Sequence, residues 1–154
     1  MSKPRSASPP EVVHDSEWIT VWYHPEVKVV HHQFHKAIRG EAFRSALRAG
    51  SAVLLSRGAT KWLSDDRFVF ILPQEDQEEW AQTEWFPQTL KSGWKYWAIA
   101  KPEKAVVDLY LRRLAASYSA AGVRTELFTT PEAGMQWLAS HPDESPADSS
   151  PLTT

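Results

Sequence analysis

The sequence predicts an α/β domain built on a mostly parallel sheet of about five strands. Short apolar or aromatic runs alternate with longer segments of helical periodicity, and Gly or Pro separates most of them. The first two runs are joined by a very short turn, which requires an antiparallel hairpin. The predicted order is therefore β-β-α-β-α-β-α-β-α, with the successive β-α units forming a parallel sheet.

Composition limits the classes of function. The chain has 154 residues, a formal net charge of -2, eight tryptophans and no cysteine. The near-neutral charge gives no electrostatic basis for binding nucleic acid, and no run approaches the ~18 apolar residues of a membrane span. Without cysteine, disulfides and thiolate chemistry are excluded. We expect a cytoplasmic protein with no cofactor, no nucleic-acid partner and no membrane insertion.

Both ends of the chain are rich in Ser and Pro. Such composition cannot bury enough apolar surface to fold, so residues 1–15 and 141–154 are predicted to be disordered tails. The folded domain is predicted at residues 16–140.

The first half of this domain begins with strands at residues 17–23 and 27–35, joined by the turn at residues 24–26. A helix follows from Gly40 and ends before Gly58, which suits a left-handed C-terminal cap. Its buried stripe is predicted from residues at helical spacing, namely Phe43, Ala46, Leu47, Gly50 and Leu54.

The second half begins with a strand at residues 59–63 and a polar turn at residues 64–67. Residues 68–72 could be a short strand or a packed loop. A helical region at residues 73–93 starts with acidic residues, which complement the positive end of a helix dipole, and should break near Pro87. The remaining predicted elements are a strand at 94–100, a helix at 103–121, a strand at 123–128 and a helix at 131–140.

The turn after the third strand carries the first candidate chemistry. Ligands of α/β sheets usually bind at the carboxyl ends of strands, where Ser64, Asp65, Asp66 and Arg67 are predicted to lie. The paired carboxylates could perform acid–base catalysis or bind a hard cation. The simpler interpretation is a solvated turn, in which Arg67 pairs with one Asp and the other caps a backbone amide.

Three histidines in the second strand have the residue type of metal ligands. On a strand, however, His31 and His35 share a face about 13 Å apart, while His32 points to the other face. One ion could not bind all three, so no metal site is predicted and the histidines are interpreted as sheet-face or rim residues.

A second candidate site is the sheet face left open if the helices pack mainly on one side. Aromatic and basic side chains on such a face would suit binding of a partner. The alternative is that Trp62, Trp94 and Trp97 belong to the core. The residues expected on this face are Lys28, His32, Lys61, Lys95, Trp97 and Arg124. The candidate partner- or ligand-binding residues are Trp62, Ser64, Asp65, Asp66, Arg67, Lys95 and Trp97.

Two motifs carry a family resemblance: Gly-Ala-Thr-Lys-Trp-Leu-Ser-Asp-Asp-Arg at residues 58–67 and Gly-Trp-Lys-Tyr-Trp-Ala-Ile at residues 93–99. With the element order, they resemble uncharacterised bacterial proteins of STAS-like (SpoIIAA-like) fold, which is related to the CRAL-TRIO lipid-transfer domains. The resemblance covers about residues 18–138. It implies a regulatory module that binds a partner protein.

Some STAS domains are phosphorylated on a Ser or Thr after the strand that corresponds to residues 59–63. The resemblance therefore makes Ser64 a candidate phosphoacceptor. The Asp-Ser-Gly context of the phosphorylated members is absent, because this chain reads Leu-Ser-Asp-Asp-Arg. The alternative role of the Ser64 hydroxyl is to cap the turn or the next helix.

Three functions follow in order of preference. The first is a non-enzymatic regulatory or protein-interaction module, with a homodimer as one candidate assembly. The second is a domain that binds a small apolar or lipid-like ligand, which a closed apolar cavity of several hundred Å³ would favour. The third is an enzyme using Asp65 or Asp66, which a His or Lys converging on these carboxylates inside a cleft would favour. No catalytic motif is present, so enzyme activity is not predicted.

Overall fold

The computed structural model describes residues 8–69 and 75–142, with only the backbone described at Asp76. Its strands are β1 (Glu11–Asp15), β2 (Ile19–His24), β3 (Val29–Phe34), β4 (Lys61–Asp65), β5 (Tyr96–Ala100) and β6 (Arg124–Phe128). Its helices are α1 (Gly40–Ser56), α2 (Glu75–Trp80), α3 (Phe86–Lys91), α4 (Ala105–Ala120) and α5 (Pro131–Ala139). A π-helical turn, Ala81–Trp85, joins α2 to α3.

All six strands form one sheet in which spatial order equals chain order. The pairs β1–β2 and β2–β3 are antiparallel, and the pairs β3–β4, β4–β5 and β5–β6 are parallel. The prediction of an α/β fold with an antiparallel hairpin leading into a mostly parallel sheet is confirmed. The sixth strand is β1.

Strand β1 lies in a stretch that was expected to belong to the N-terminal tail. It pairs with β2 through a register irregularity between Val12 and His14, and Val13 packs against the main core. The backbone of β2 supplies the partners that make this polar stretch a strand, which local composition does not reveal. Residues 1–7 and 143–154 of the predicted tails lie outside the described residues.

Strand β4 is shifted by two residues from its predicted position at residues 59–63. It runs from Lys61 to Asp65, and the amide of Asp66 still donates to the carbonyl of Ala100. Ser64 and Asp65 therefore belong to the strand, and the predicted turn at residues 64–67 begins only after them. The polar sequence favoured a turn, but neighbours on both sides extend the parallel ladder.

The breaks between elements follow the predicted residues. Gly58 adopts φ +62° after α1, and the amide of Ala59 donates back to Leu54, as in a glycine-capped helix end. Pro87 lies in the first turn of α3, directly after the π-helical turn. Because proline has no amide proton, the hydrogen-bond pattern of the preceding turn changes there. Residues 70–72 of the undecided stretch lie outside the described residues.

The two faces of the sheet carry different helices. Alternate strand residues such as Val30 and Trp62 join the large core formed with α1, the α2–α3 region and α4. The intervening residues, among them Leu63 and Ala98, form a smaller core with Leu138 of α5. The second face is therefore covered by α5 over β4, β5 and β6, rather than left fully open as predicted.

Candidate functional site

A cavity of about 300 Å³ lies between the helix-covered face of the sheet and the helices above it. It is located where β3 and β4 end, with Asp66 and Val69 of the following segment in its wall. Its lining comes from every layer of the large core. The aromatic and polar lining residues are His32, Phe34, Lys36, Arg39, Phe43, Trp62, Ser64, Asp66, Gln77, Glu78, Gln82, Trp85, Trp94, Trp97, Tyr110 and Tyr118.

Strand periodicity brings several of these side chains to the same face. Trp62, Ser64 and Asp66 alternate along one chain segment, so all three project toward the helices. In the parallel register, Ser64 lies beside His32 of β3, and Trp62 lies beside Trp97 of β5. The predicted open binding face is thus incorrect for His32 and Trp97, which face the cavity instead.

Four tryptophans form a continuous aromatic wall, with Trp94 contacting Trp62, Trp85 and Trp97 at ring-centroid distances of 5.7, 5.4 and 5.3 Å. Every one of their indole N–H groups donates to the protein. Trp85 donates to the carbonyl of Leu47, and Trp94 donates to a carbonyl of the β5 backbone. The wall is therefore fixed before any ligand arrives, and it presents apolar ring surface to the cavity.

The other two tryptophans orient polar groups of the cavity. The indole nitrogen of Trp62 donates to Nδ1 of His32 at 3.0 Å, and that of Trp97 donates to Oγ of Ser64 at 2.7 Å. Since an indole nitrogen only donates, Nδ1 of His32 carries a lone pair. The proton of His32 then lies on Nε2, which donates to Oδ1 of Asp66 at 3.3 Å. His32 is neutral in this arrangement.

Several polar groups of the cavity lack a protein partner. The side chain of Gln77 is almost fully buried, at 2% exposure, and its amide oxygen has no hydrogen-bond partner within the described part of the chain. Among the same residues, Oδ2 of Asp66 accepts no hydrogen bond, and the hydroxyl proton of Ser64 has no acceptor. A buried polar atom left unpaired, such as Oε1 of Gln77, costs about 1–3 kcal/mol.

Two tyrosines of α4 complete the polar part of the wall. Burial, together with a hydrogen bond to Glu78, raises the pKa of Tyr110. Burial, with the nearby charge of Glu78, likewise raises the pKa of Tyr118. Both phenols therefore keep their protons at neutral pH.

Asp65 is separated from Asp66 because consecutive strand residues face opposite sides of the sheet. Both oxygens of Asp65 accept hydrogen bonds from the guanidinium of Arg67, at 2.9 and 2.8 Å. Burial alone would raise the pKa of Asp65, but the hydrogen bonds and charge of Arg67 outweigh it and lower that pKa. The expected pairing of Arg67 with one Asp is present, whereas Asp66 bonds His32 rather than a backbone amide.

Two histidines meet on the same face as Asp65. Nε2 of His24 and Nδ1 of His31 are 2.9 Å apart, and the ring of Trp22 lies 4.7 Å from that of His31. Burial, assisted by the neighbouring His24, lowers the pKa of His31 to about 3. This pair is remote from the cavity, because His31 and His32 project from opposite faces of β3.

The residues predicted as a binding site are thus divided by the fold. Trp62, Ser64, Asp66 and Trp97 line the cavity, Asp65 and Arg67 form an ion pair on the other face, and Lys95 lies before the amino end of β5. Lys61 is also on the other face, buried, and donates to the carbonyl of His141. Sequence reasoning missed Gln77, Glu78, Tyr110 and Tyr118 as cavity residues.

Ser64 is almost fully buried, at 1% exposure. Its hydroxyl oxygen is already bonded to Trp97, and the cavity is the open space beside it. Phosphorylation of Ser64 stays a prediction, and it would require the aromatic wall to open.

No family model matches the chain, and neither the curated proteins nor the solved structures contain a significant match. The STAS-like resemblance therefore remains a prediction. None of the helices in residues 8–69 and 75–142 is long and apolar enough to cross a membrane. Fold and site together define an α/β domain with a partly open, aromatic-lined cavity.

Proposed function

We propose that this chain is a small-molecule-binding domain whose ligand occupies the cavity beneath α1 and α4. The observation that carries the proposal is the cavity itself, which combines about 300 Å³ of space with a fixed aromatic wall and, in the side chain of Gln77, a buried amide oxygen that has no partner among the described residues. Small-molecule sites in proteins are mainly apolar, largely preformed and equipped with a few convergent polar groups. The volume is at the lower end of the usual range of about 300–1,000 Å³, so a compact ligand fits better than a long acyl chain.

A neutral fluorescent probe tests the proposal without knowledge of the natural ligand. We expect N-phenylnaphthylamine to bind with a rise in its emission and with energy transfer from the cavity tryptophans. Ala81 lines the cavity, so Ala81→Leu should fill part of it and weaken the probe's affinity by about tenfold, equivalent to about 1.4 kcal/mol. Ala116→Leu adds the same side chain at an exposed position of α4 and should bind like the unaltered protein.

Native mass spectrometry of the purified protein provides a second test. A small molecule retained under native conditions and lost on denaturation would identify the ligand directly. If the probe fails to bind, or binds both leucine variants equally, the cavity is not a ligand site and the proposal is wrong.

An acid–base enzyme is a second candidate, because His32 contacts Asp66 inside the cavity. Both ring nitrogens of His32 are already bonded, so His32 would position Asp66, and Asp66 would be the group that exchanges a proton with a substrate. Conversion of a bound compound by the unaltered protein but not by Asp66→Asn would support this function. Unchanged recovery of every bound compound would count against it.

The regulatory interaction module implied by the resemblance stays a prediction, as do a homodimer and a cytoplasmic location. Its partner would have to recognise Arg67 on the other face of the sheet, since Ser64, Asp65 and Asp66 are all buried.

A further inference from the structure

The charges of the cavity indicate which kind of compact ligand it accepts. Asp66 and Glu78 both line it, and within the described part of the chain no Lys or Arg side chain forms an ion pair with either. Lys36 and Arg39 contribute to the lining as exposed residues, and Lys36 is paired with Glu17. Among the described residues, therefore, neither carboxylate is paired with a Lys or Arg, although the lining also carries the positive charges of Lys36 and Arg39.

Histidine does not supply the missing positive charge. The hydrogen bond from Trp62 fixes a lone pair on Nδ1 of His32, so the ring is neutral and its contact with Asp66 is not a salt bridge. One oxygen of Asp66 accepts from His32, which leaves Oδ2 for a ligand. Burying an uncompensated carboxylate is costly, and a cationic ligand would remove that cost.

The surrounding surface is also suited to a cation. Tryptophan has the aromatic ring that attracts cations most strongly, and such contacts strengthen where water is excluded. Trp62, Trp85, Trp94 and Trp97 all contribute to the lining. The buried amide of Gln77, which has no partner for its oxygen, supplies an uncharged acceptor in the same cavity.

We propose that the ligand is a compact organic amine, bound as the ammonium ion. Its charged group pairs with Asp66, Glu78 adds negative potential, and its apolar body lies against the tryptophans. This inference rests on the proposed function, because it specifies the chemistry of the ligand in the same cavity.

Three compounds of similar shape and different charge separate the possibilities. Phenethylamine, phenethyl alcohol and phenylpropionate are titrated calorimetrically and by displacement of N-phenylnaphthylamine. We expect the amine to bind at least about tenfold more tightly than the alcohol, as an ammonium paired with a carboxylate beside aromatic rings would. Phenylpropionate should bind most weakly. Asp66→Asn should remove most of the preference for the amine, and Glu78→Gln should reduce it.

Glu79→Gln is the matched control, since it removes the same charge from an exposed neighbouring residue, and it should keep the preference. Retained binding of N-phenylnaphthylamine shows that each variant is folded with its cavity intact. If the probe binds but the three compounds bind equally, or phenylpropionate binds best, the amine proposal is overturned and the ligand-binding function stands. If the probe does not bind the unaltered protein, the ligand-binding function fails and the amine proposal fails with it.

Discussion

The indole nitrogen of Trp62 donates a hydrogen bond to Nδ1 of His32 across the β3–β4 ladder. This one contact fixes the tautomer of His32 and thereby directs Nε2–H to Asp66. It also secures the tryptophan that contacts both Trp85 and Trp94. The aromatic wall of the cavity and its main carboxylate are consequently positioned by the same pair of residues.

Replacing Trp62 with Phe tests this contact. The change removes the N–H donor, leaves a buried histidine nitrogen unpaired and opens space in the core. We expect the free energy of unfolding to fall by about 2–4 kcal/mol. Urea unfolding followed by far-ultraviolet circular dichroism measures the loss. The control is Trp22→Phe, at a half-buried position on the other face, which should lower the free energy of unfolding by less than about 1.5 kcal/mol. Equal losses in the two variants would contradict the role assigned to Trp62.

Replacing Gly50 of α1 with alanine should change the free energy of unfolding in the direction opposite to that expected from helix propensity. Alanine normally stabilises a helix by about 1 kcal/mol relative to glycine. A Cβ atom at Gly50 would lie 2.4 Å from the ring of Trp62, so the ring would have to move. We therefore expect Gly50→Ala to lower the free energy of unfolding by about 1–3 kcal/mol and to weaken N-phenylnaphthylamine binding.

Ala52→Gly measures the effect of helix propensity alone on the free energy of unfolding, because Ala52 is exposed on the same helix. It should cost about 1 kcal/mol and leave probe binding unchanged. Stabilisation by Gly50→Ala would show that Trp62 does not pack against α1 as described.

The stability of the protein should depend on pH through His31. Its pKa of about 3 in the folded state lies below the usual 6.5, because burial and the neighbouring His24 oppose its charge. The unfolded chain therefore binds a proton that the folded chain does not. Stability is full above pH 6.5 and falls as the pH drops toward 3, by at most about 1.4 kcal/mol per unit.

Urea unfolding at pH 7, 6, 5 and 4 measures this slope. His24 also has a lowered pKa, so it contributes to the loss of stability over the same pH range. The lowered pKa of Asp65 lies below this range, and Arg67 remains charged throughout it. His31→Gln should make the slope shallower, whereas His14→Gln, outside the His24–His31 pair, should not. An unchanged slope in His31→Gln would contradict the assignment.

The pairing of Arg67 with Asp65 should contribute more to the free energy of unfolding than an exposed ion pair does. Asp65 has a side-chain exposure of 3%, so removing Arg67 leaves a nearly buried carboxylate without its cation. We expect Arg67→Gln to lower the free energy of unfolding by about 2 kcal/mol at pH 7 and at pH 5, with a smaller loss at pH 3. The direction follows because the lowered pKa of Asp65 stabilises the fold at pH values above the usual pKa of 3.8, and this contribution is lost as the pH falls through the lower pKa of the folded state.

Arg48→Gln is the corresponding control, since Arg48 pairs with Glu41 on an exposed helix surface. Exposed pairs contribute about 0–1 kcal/mol, so this variant should unfold nearly like the unaltered protein. Equal losses in the two variants would mean that the burial of Asp65 has no energetic consequence.

Local patterns predicted the elements more reliably than their ends. The stripe of α1 was read from helical spacing, and Ala46, Leu47, Gly50 and Leu54 are all buried in the structure. The ends of β4 could not be read locally, because Ser64 and Asp65 favour a turn by composition. Pairing with β3 and β5 satisfies their backbone groups, and that pairing is a property of the whole sheet.

The cavity is the part of the site that sequence reasoning could least anticipate. Trp62, Ser64, Asp66 and Trp97 were selected from a motif, yet Gln77 and Glu78 occur in an acidic run that resembles an ordinary exposed helix start. No local signal distinguishes the buried Gln77 from its exposed neighbour Glu79. Only the approach of α2 to the sheet makes that difference.

The sequence by itself determined the order of strands and helices from β2 onward, because alternation of apolar residues with periods of two and of about 3.6 is a local property of the chain. The tertiary structure alone decided that His32 meets Asp66, that Asp65 meets Arg67, and that a cavity lies between α4 and the ends of β3 and β4. Those features depend on which strands become neighbours and on how closely side chains from separate elements fill the space between layers. Both are set by packing across the whole domain.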